Sequence, residues 1–129
     1  MRVTKHYPTV NAEDIDAEAD FWAAVLGGEV ANADSDAFGQ WRDVVVDGAV
    51  VLGVQRAPGL ITPTWPDDSV PLHIHLDVYA EVDEVEASSR ELLALGAREL
   101  DTSQSPAERE HGFRVYADPA GHPFCLCWG

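Results

Sequence analysis

Shifted by 69 positions, the chain lays His6 on His75, Asp14 on Asp83, Leu26 on Leu95 and Gly27 on Gly96 without a gap. These identities fall at a strand head, a helix cap and a helix stop, where a supersecondary unit is specified locally. An internal repeat constrains the fold more than any single motif, because each half must then build the same unit.

The element pattern agrees with the repeat. Residues 2 to 10 alternate loosely and read as a strand, with Pro8 predicting an edge position or a bulge. In "DIDAEADFWAAVLGG", Asp14 is the expected N-cap and Asp16 and Glu18 sit where the helix dipole favours negative charge. Ile15, Phe21, Trp22, Val25 and Leu26 supply the apolar stripe, and Gly27 or Gly28 ends the helix. Strands are expected over 29–33, 38–46 and 49–55, the last two joined by the tight hairpin Asp47-Gly48. Residues 57–71, rich in proline and without a period, read as a linker. The order then restarts with a strand over 72–79 and a helix in "DEVEASSRELLALG", where Asp83 and Glu86 have capping-box spacing. Strands over 97–101, 112–117 and 122–128 complete the second half. The expected fold is α+β, one domain over 1–129 built from two βαβββ units, 1–56 and 72–129, whose curved mixed sheets surround a cleft.

Length and composition bound the rest. The chain has 129 residues, one domain's length, with 46% hydrophobic and 24% charged residues, ordinary for a globular protein. A formal net charge of −15, from 23 acidic and 8 basic residues, repels phosphate backbones and anionic membranes. Nucleic acid and membrane are therefore not expected as partners, and runs such as "AVVLGV" are too short to span a bilayer. The first residues, "MRVTKHYPTV", have no apolar h-region. Cys125 and Cys127 lie side by side on one strand face, a poor geometry for a mutual disulfide, so reduced thiols in a cytoplasmic protein are expected.

In "PLHIHLDVYAEVD", His73 and His75 are two apart and would share one face of a strand. His75 reads either as a pocket histidine bonded to a ligand or as a metal ligand, with His73 as an accessory polar residue. His111 and His122 fall in turn-like segments and are expected to face solvent. Cys125 reads as a ligand, a nucleophile or an apolar filler, and nucleophilic use would need a depressed pKa. Phe38, Trp41, Tyr116 and Trp128 are on expected strands, and those facing inward would line an apolar pocket together with Gln55. Trp65 stands in the linker as a lid or a dimer contact.

Three stretches, "DAEADFWAAVLGGEV", "HLDVYAEVDEVEASSRELLALGA" and "FRVYADPAGHPFCLCWG", resemble the vicinal oxygen chelate superfamily, in its glyoxalase-like branch. That superfamily includes glyoxalase I, fosfomycin and bleomycin resistance proteins and extradiol dioxygenases. In its metal-using members each unit gives one ligand from its first strand and one from its last. The resemblance makes His75 and His6 the opening positions. The second closing position, usually glutamate in "DPxGxxxE", is Cys125 here, and the first is Leu52, with Gln55 the nearest polar residue. With no carboxylate in the set, no cofactor is expected. A Zn, Ni, Mn or Fe ion, if held, would fall to His6, Gln55, His75 and Cys125. The resemblance implies one of two functions. The first is a lyase, isomerase or dioxygenase acting on a small oxygen-rich molecule through His75 and Cys125. The second is metal-free binding of a drug-like, cationic small molecule of the bleomycin-resistance type. It also implies a homodimer.

Overall fold

In a computed structural model of the chain, residues 1–33 and 39–129 are described; Phe38, expected in the pocket, lies outside them. The chain divides into two compact units, Met1–Leu60 and Ile61–Gly129. The first contains β1 (Thr9–Ala12), α1 (Ile15–Leu26), β2 (Glu29–Ala31), β3 (Trp41–Val46) and β4 (Ala49–Arg56). The second contains β5 (Asp77–Tyr79), α2 (Val85–Leu95), β6 (Arg98–Asp101), β7 (Gly112–Ala117) and β8 (Pro123–Trp128). The sheets run β1-β4-β3-β2 and β5-β8-β7-β6. In each, the first strand pairs parallel with the last and the other pairs are antiparallel. This is the expected pair of βαβββ units.

The helices start and stop for local reasons, with one departure. Asp14 caps α1 by accepting from Ala17 N at 3.0 Å, and Gly27 ends it at φ 69 with its N–H directed to the carbonyls of Ala23 and Ala24. Gly96 ends α2 in the same way. The start of α2 differs from the expected capping box. A single 3₁₀ turn over Val82–Glu84 leads into it, and no side chain caps it. Glu86, the expected box partner, is instead taken by Arg114.

That extra turn displaces the repeat. Gly53 N donates to Pro8 O, and Cys125 N donates to Leu76 O. Pro8 and Leu76 therefore correspond, so the strand counterpart of His75 is Tyr7, and His6 corresponds to Ile74. The helix starts, Ile15 and Val85, are one step off the 69-residue shift, while the ends, Leu26 and Leu95, keep it. A gapless slide averages these offsets and misplaces the first strand by one residue.

Each unit also buries an arginine on its third strand and pairs it with an acid in the first turn of its helix. Arg42 is 7% exposed and its Nε donates to Asp16 Oδ1 at 2.7 Å. Arg114 is 8% exposed; it donates to both Glu86 oxygens, to Ser89 Oγ and to the Gln104 carbonyl. Tyr116, fully buried, donates its hydroxyl to the same Ser89. A buried guanidinium without partners would carry a large desolvation cost, so these bonds fix where the helix N-terminus sits on the sheet.

Removing the arginine leaves Ser89 and the Gln104 carbonyl one donor short. Arg114→Ala is expected to destabilise the fold by about 1.5–3 kcal/mol, read as a lower urea midpoint at unchanged slope; Glu86→Gln should cost less, since Glu86 is half-exposed and resolvates. The hydrogen bond from Arg114 holds the Glu86 carboxyl below its ordinary value of 4.5. A depressed folded pKa contributes stability above the unfolded value and loses it as pH falls through the folded one. The difference between wild type and Glu86→Gln should therefore shrink below about pH 4.5.

Candidate functional site

The two faces of the second sheet have separate tasks. Tyr116 and Phe124 are cross-strand partners with ring centroids 5.9 Å apart, and with Arg114 and Leu126 they share the face turned toward α2. Strand alternation puts Phe113, Val115, Cys125 and Cys127 on the other face, and β5 adds Asp77 and Tyr79. On that face lies a pocket of about 640 Å³, a volume typical of small-molecule sites. Trp65 and Leu72 bound it from the segment before β5, and Gln104, Arg109 and His111 form part of its rim.

Its polar end is set by strand register. Asp77 stands directly opposite Cys125 in the parallel β5–β8 ladder. His75, two residues before Asp77, brings its Nε2 to 3.2 Å from Asp77 Oδ1. One donor atom each from His75, Asp77 and Cys125 lies within 4.8 Å of the others. Burial, then the charge of Asp77 and the neighbouring Cys127, push the Cys125 thiol up to about 12. Cys127 is raised by burial and by Asp77. Cys125 is therefore held as a thiol beside a carboxylate, the opposite of an activated nucleophile.

Several expected site residues take other places. Tyr116 belongs to the buried Ser89–Arg114 network and not to the pocket, because its position on β7 faces the helix. Trp128 contributes to the wall, but its indole lies over Gly112, is 2% exposed and donates Nε1 to the Arg109 carbonyl. It supports the site from behind. His73 and His75 precede β5 in irregular chain, so strand alternation does not govern them; His75 lines the pocket and His73 does not. His111 is on the rim, and His122 is held by the Asp118 carboxylate at 3.0 Å, closing the β7–β8 turn.

In the first unit, Trp41 and Gln55 are cross-strand partners on the face away from α1. Trp41 Nε1 donates to Asp43 Oδ1 at 2.7 Å, and its ring covers Gly53 so closely that a Cβ there would come within 2.5 Å of it. Gly53, not Leu52, is the register counterpart of Cys125. The bulge at Val44/Val45 adds one residue to the β3–β4 ladder, and Leu52 is 1% exposed on the helix side. His6 is exposed ahead of β1.

The residues missed in the sequence are Asp77, Tyr79 and Phe113. Asp77 supplies a carboxylate from the first strand of the unit, where the resemblance places that ligand on the last strand. Its signal is the i, i+2 spacing in "HLD", which becomes meaningful once β5 is known to start at Asp77. An imidazole, a carboxylate and a thiol fit a borderline ion such as Zn²⁺, with a coordination position left for a ligand oxygen.

Two units of this topology define a protein of the vicinal oxygen chelate superfamily. Residues 8–127 match the model of the glyoxalase-like domain, and the chain belongs to that family. No curated protein matches it. Among solved structures, the genomically encoded fosfomycin resistance protein FosX from Listeria monocytogenes has the same fold, with a TM-score of 0.71 at 16% identity, covering 100% of this chain and 93% of that one. Another FosX structure from Listeria monocytogenes, complexed with Mn(II) and a sulfate ion, aligns with a TM-score of 0.66 at 15% identity, covering 100% and 94%. A glyoxalase/bleomycin resistance protein/dioxygenase family enzyme from Burkholderia phytofirmans PsJN aligns with a TM-score of 0.67 at 15% identity, covering 94% of each chain.

The thiol environment makes a direct prediction. At pH 8, Cys125 should be alkylated by iodoacetamide on the order of 10²–10³-fold more slowly than free cysteine, because so little thiolate is present. Asp77→Asn should speed the reaction by removing the opposing charge. Peptide mapping by mass spectrometry reads both rates, and a Cys125 rate equal to that of free cysteine contradicts the assignment.

Proposed function

We propose that the protein binds a small amphipathic molecule in the second-unit pocket, without needing a metal. The observation that carries this is the composition of the pocket: aromatic and aliphatic side chains along its walls, and one polar cluster, His75–Asp77–Cys125, at one end. The apolar part of a ligand gains by leaving water against Phe113, Tyr79 and Leu72. Its polar part meets a carboxylate and an imidazole, which favours an amine or other cationic group, as does the net charge of −15. The fold is shared with fosfomycin resistance proteins, and a drug-like ligand accords with that likeness. The reading includes a homodimer and a cytoplasmic setting in which both cysteines stay reduced.

A second reading, an enzyme of the lyase, isomerase or dioxygenase kind, is favoured by the convergence of His75, Asp77 and Cys125. A divalent ion held by them would supply Lewis-acid polarisation of a ligand oxygen. The chain's own part would be orientation: the parallel ladder fixes Asp77 against Cys125, Asp77 orients the His75 ring, and the aromatic wall excludes water.

The two readings part on simple measurements. Ethidium, a planar cation, is expected to bind more tightly than the anion 8-anilinonaphthalene-1-sulfonate, and EDTA should change neither its affinity nor the melting temperature. Phe113→Ala should weaken ethidium binding at least about fivefold by removing apolar contact, and Asp77→Asn should abolish the preference for the cation. If neither dye binds, or if EDTA removes binding and Zn²⁺ restores it only while Asp77 and Cys125 are intact, metal-free binding is excluded.

A further inference from the structure

The proline-rich stretch expected to be a spacer belongs from Ile61 onward to the second unit, and it is fastened at several points. Thr62 rests on Gly121 in the turn before β8; a Cβ on that glycine would come within 2.6 Å of Thr62 Cγ2, and its φ is +97. Thr64 then closes a seven-residue ring, 64–70. Its N–H donates to the Val70 carbonyl at 2.9 Å, its Oγ1 donates to the Asp67 carbonyl at 2.6 Å, and the same Oγ1 accepts from Val70 N at 3.1 Å. Inside the ring, the Asp67 carboxylate accepts from Ser69 N at 3.0 Å and contacts the Ser69 hydroxyl. Trp65 is part of this ring, Leu72 follows it, and both line the pocket.

A tryptophan is 40% exposed there on a loop whose backbone is already ordered. An indole carried on such a loop offers a large apolar face on a backbone that hydrogen bonds already close, which lowers the ordering cost of binding. Nothing in the polar cluster requires it. The pocket thereby acquires an aromatic side chain beside Tyr79 and Phe113 that comes from a segment outside the sheet.

We propose that Trp65 is a specificity-determining residue that selects ligands with a planar ring system by stacking on them, and that Thr64 is the positioning residue that holds its indole in place. This rests on the small-molecule pocket proposed above. It adds a ligand class, planar rather than aliphatic, and gives the ring of hydrogen bonds a purpose in recognition.

The test uses the full chain and whichever of ethidium or 8-anilinonaphthalene-1-sulfonate binds the wild type more tightly. Trp65→Ala is expected to weaken that probe about tenfold, the scale of a lost aromatic stacking partner. Trp65→Phe keeps a ring and should stay within about threefold. Thr64→Val, which removes the hydroxyl at nearly constant volume, should weaken the probe about three- to tenfold with the melting temperature little changed, and Thr64→Ser should restore it. Wild-type affinity in Trp65→Ala overturns the assignment, as does a Trp65→Ala effect that light scattering traces to loss of a dimer. If Trp65→Ala does not fold, Trp65→Phe and the Thr64 pair still decide. Phe113→Ala separates the two levels: sensitivity there with indifference at Trp65 and Thr64 ends this inference alone, and a wild type that binds neither probe ends the pocket reading and this inference together.

Discussion

The second unit depends on the parallel ladder between β5 and β8, three residue pairs joined ahead of the strand by the bond from Cys125 N to Leu76 O at 2.9 Å. Parallel pairing of a unit's first and last strands cannot be closed by a hairpin, so the helix and two strands must already connect them. Once it forms, it fixes which residue of β5 meets which residue of β8. Asp77 meets Cys125, and the site's electrostatics follow from that pairing. A slip of β5 by one residue would turn Asp77 toward α2 while β8, paired with β7, keeps Cys125 on the opposite face, and the pairing of the two side chains would be lost.

The helices are held to these sheets by the same device in both units, a third-strand arginine paired with an acid in the helix's first turn. Asp16 and Glu86 also sit where the helix dipole favours negative charge, so each acid serves the helix and the guanidinium together. The arrangement keeps the helix-facing side of each sheet polar at one place and apolar elsewhere. The opposite side carries the alternate set of strand residues. In the second unit that side carries Phe113, Tyr79 and the polar cluster; in the first, Gly53 has no side chain and Trp41 covers it. Two copies of one topology have thus been furnished differently, and the described pocket belongs to the second.

The polar cluster is a balance of opposing demands. Cys125 is part-buried on the sheet, Asp77 is half-exposed, and the carboxylate that orients His75 also keeps the thiol protonated. Such a site favours holding a ligand's polar group over attacking it. A bound cation would reverse the balance, because a positive charge stabilises both the carboxylate and the thiolate.

The sequence alone determined the two βαβββ units, the glycine stops at Gly27 and Gly96, the Asp14 cap, the Asp47-Gly48 hairpin and membership of the fold class. All of these are set by signals within a few residues of one another. It also singled out His75 and Cys125, through their places in the pattern. Tertiary structure decided what pairing and burial decide. The Val44/Val45 bulge made Gly53, not Leu52, the counterpart of Cys125, and the 3₁₀ turn before α2 shifted His6 away from its apparent partner. Arg114 drew Glu86 out of the expected capping box and Tyr116 into the interior. Asp77 became a site residue because its strand begins there and faces Cys125, a relation across 48 residues that no local spacing records. Cross-strand register is a long-range property, fixed by the sum of packing on both sheet faces, and a single sequence read along its length does not contain it in legible form.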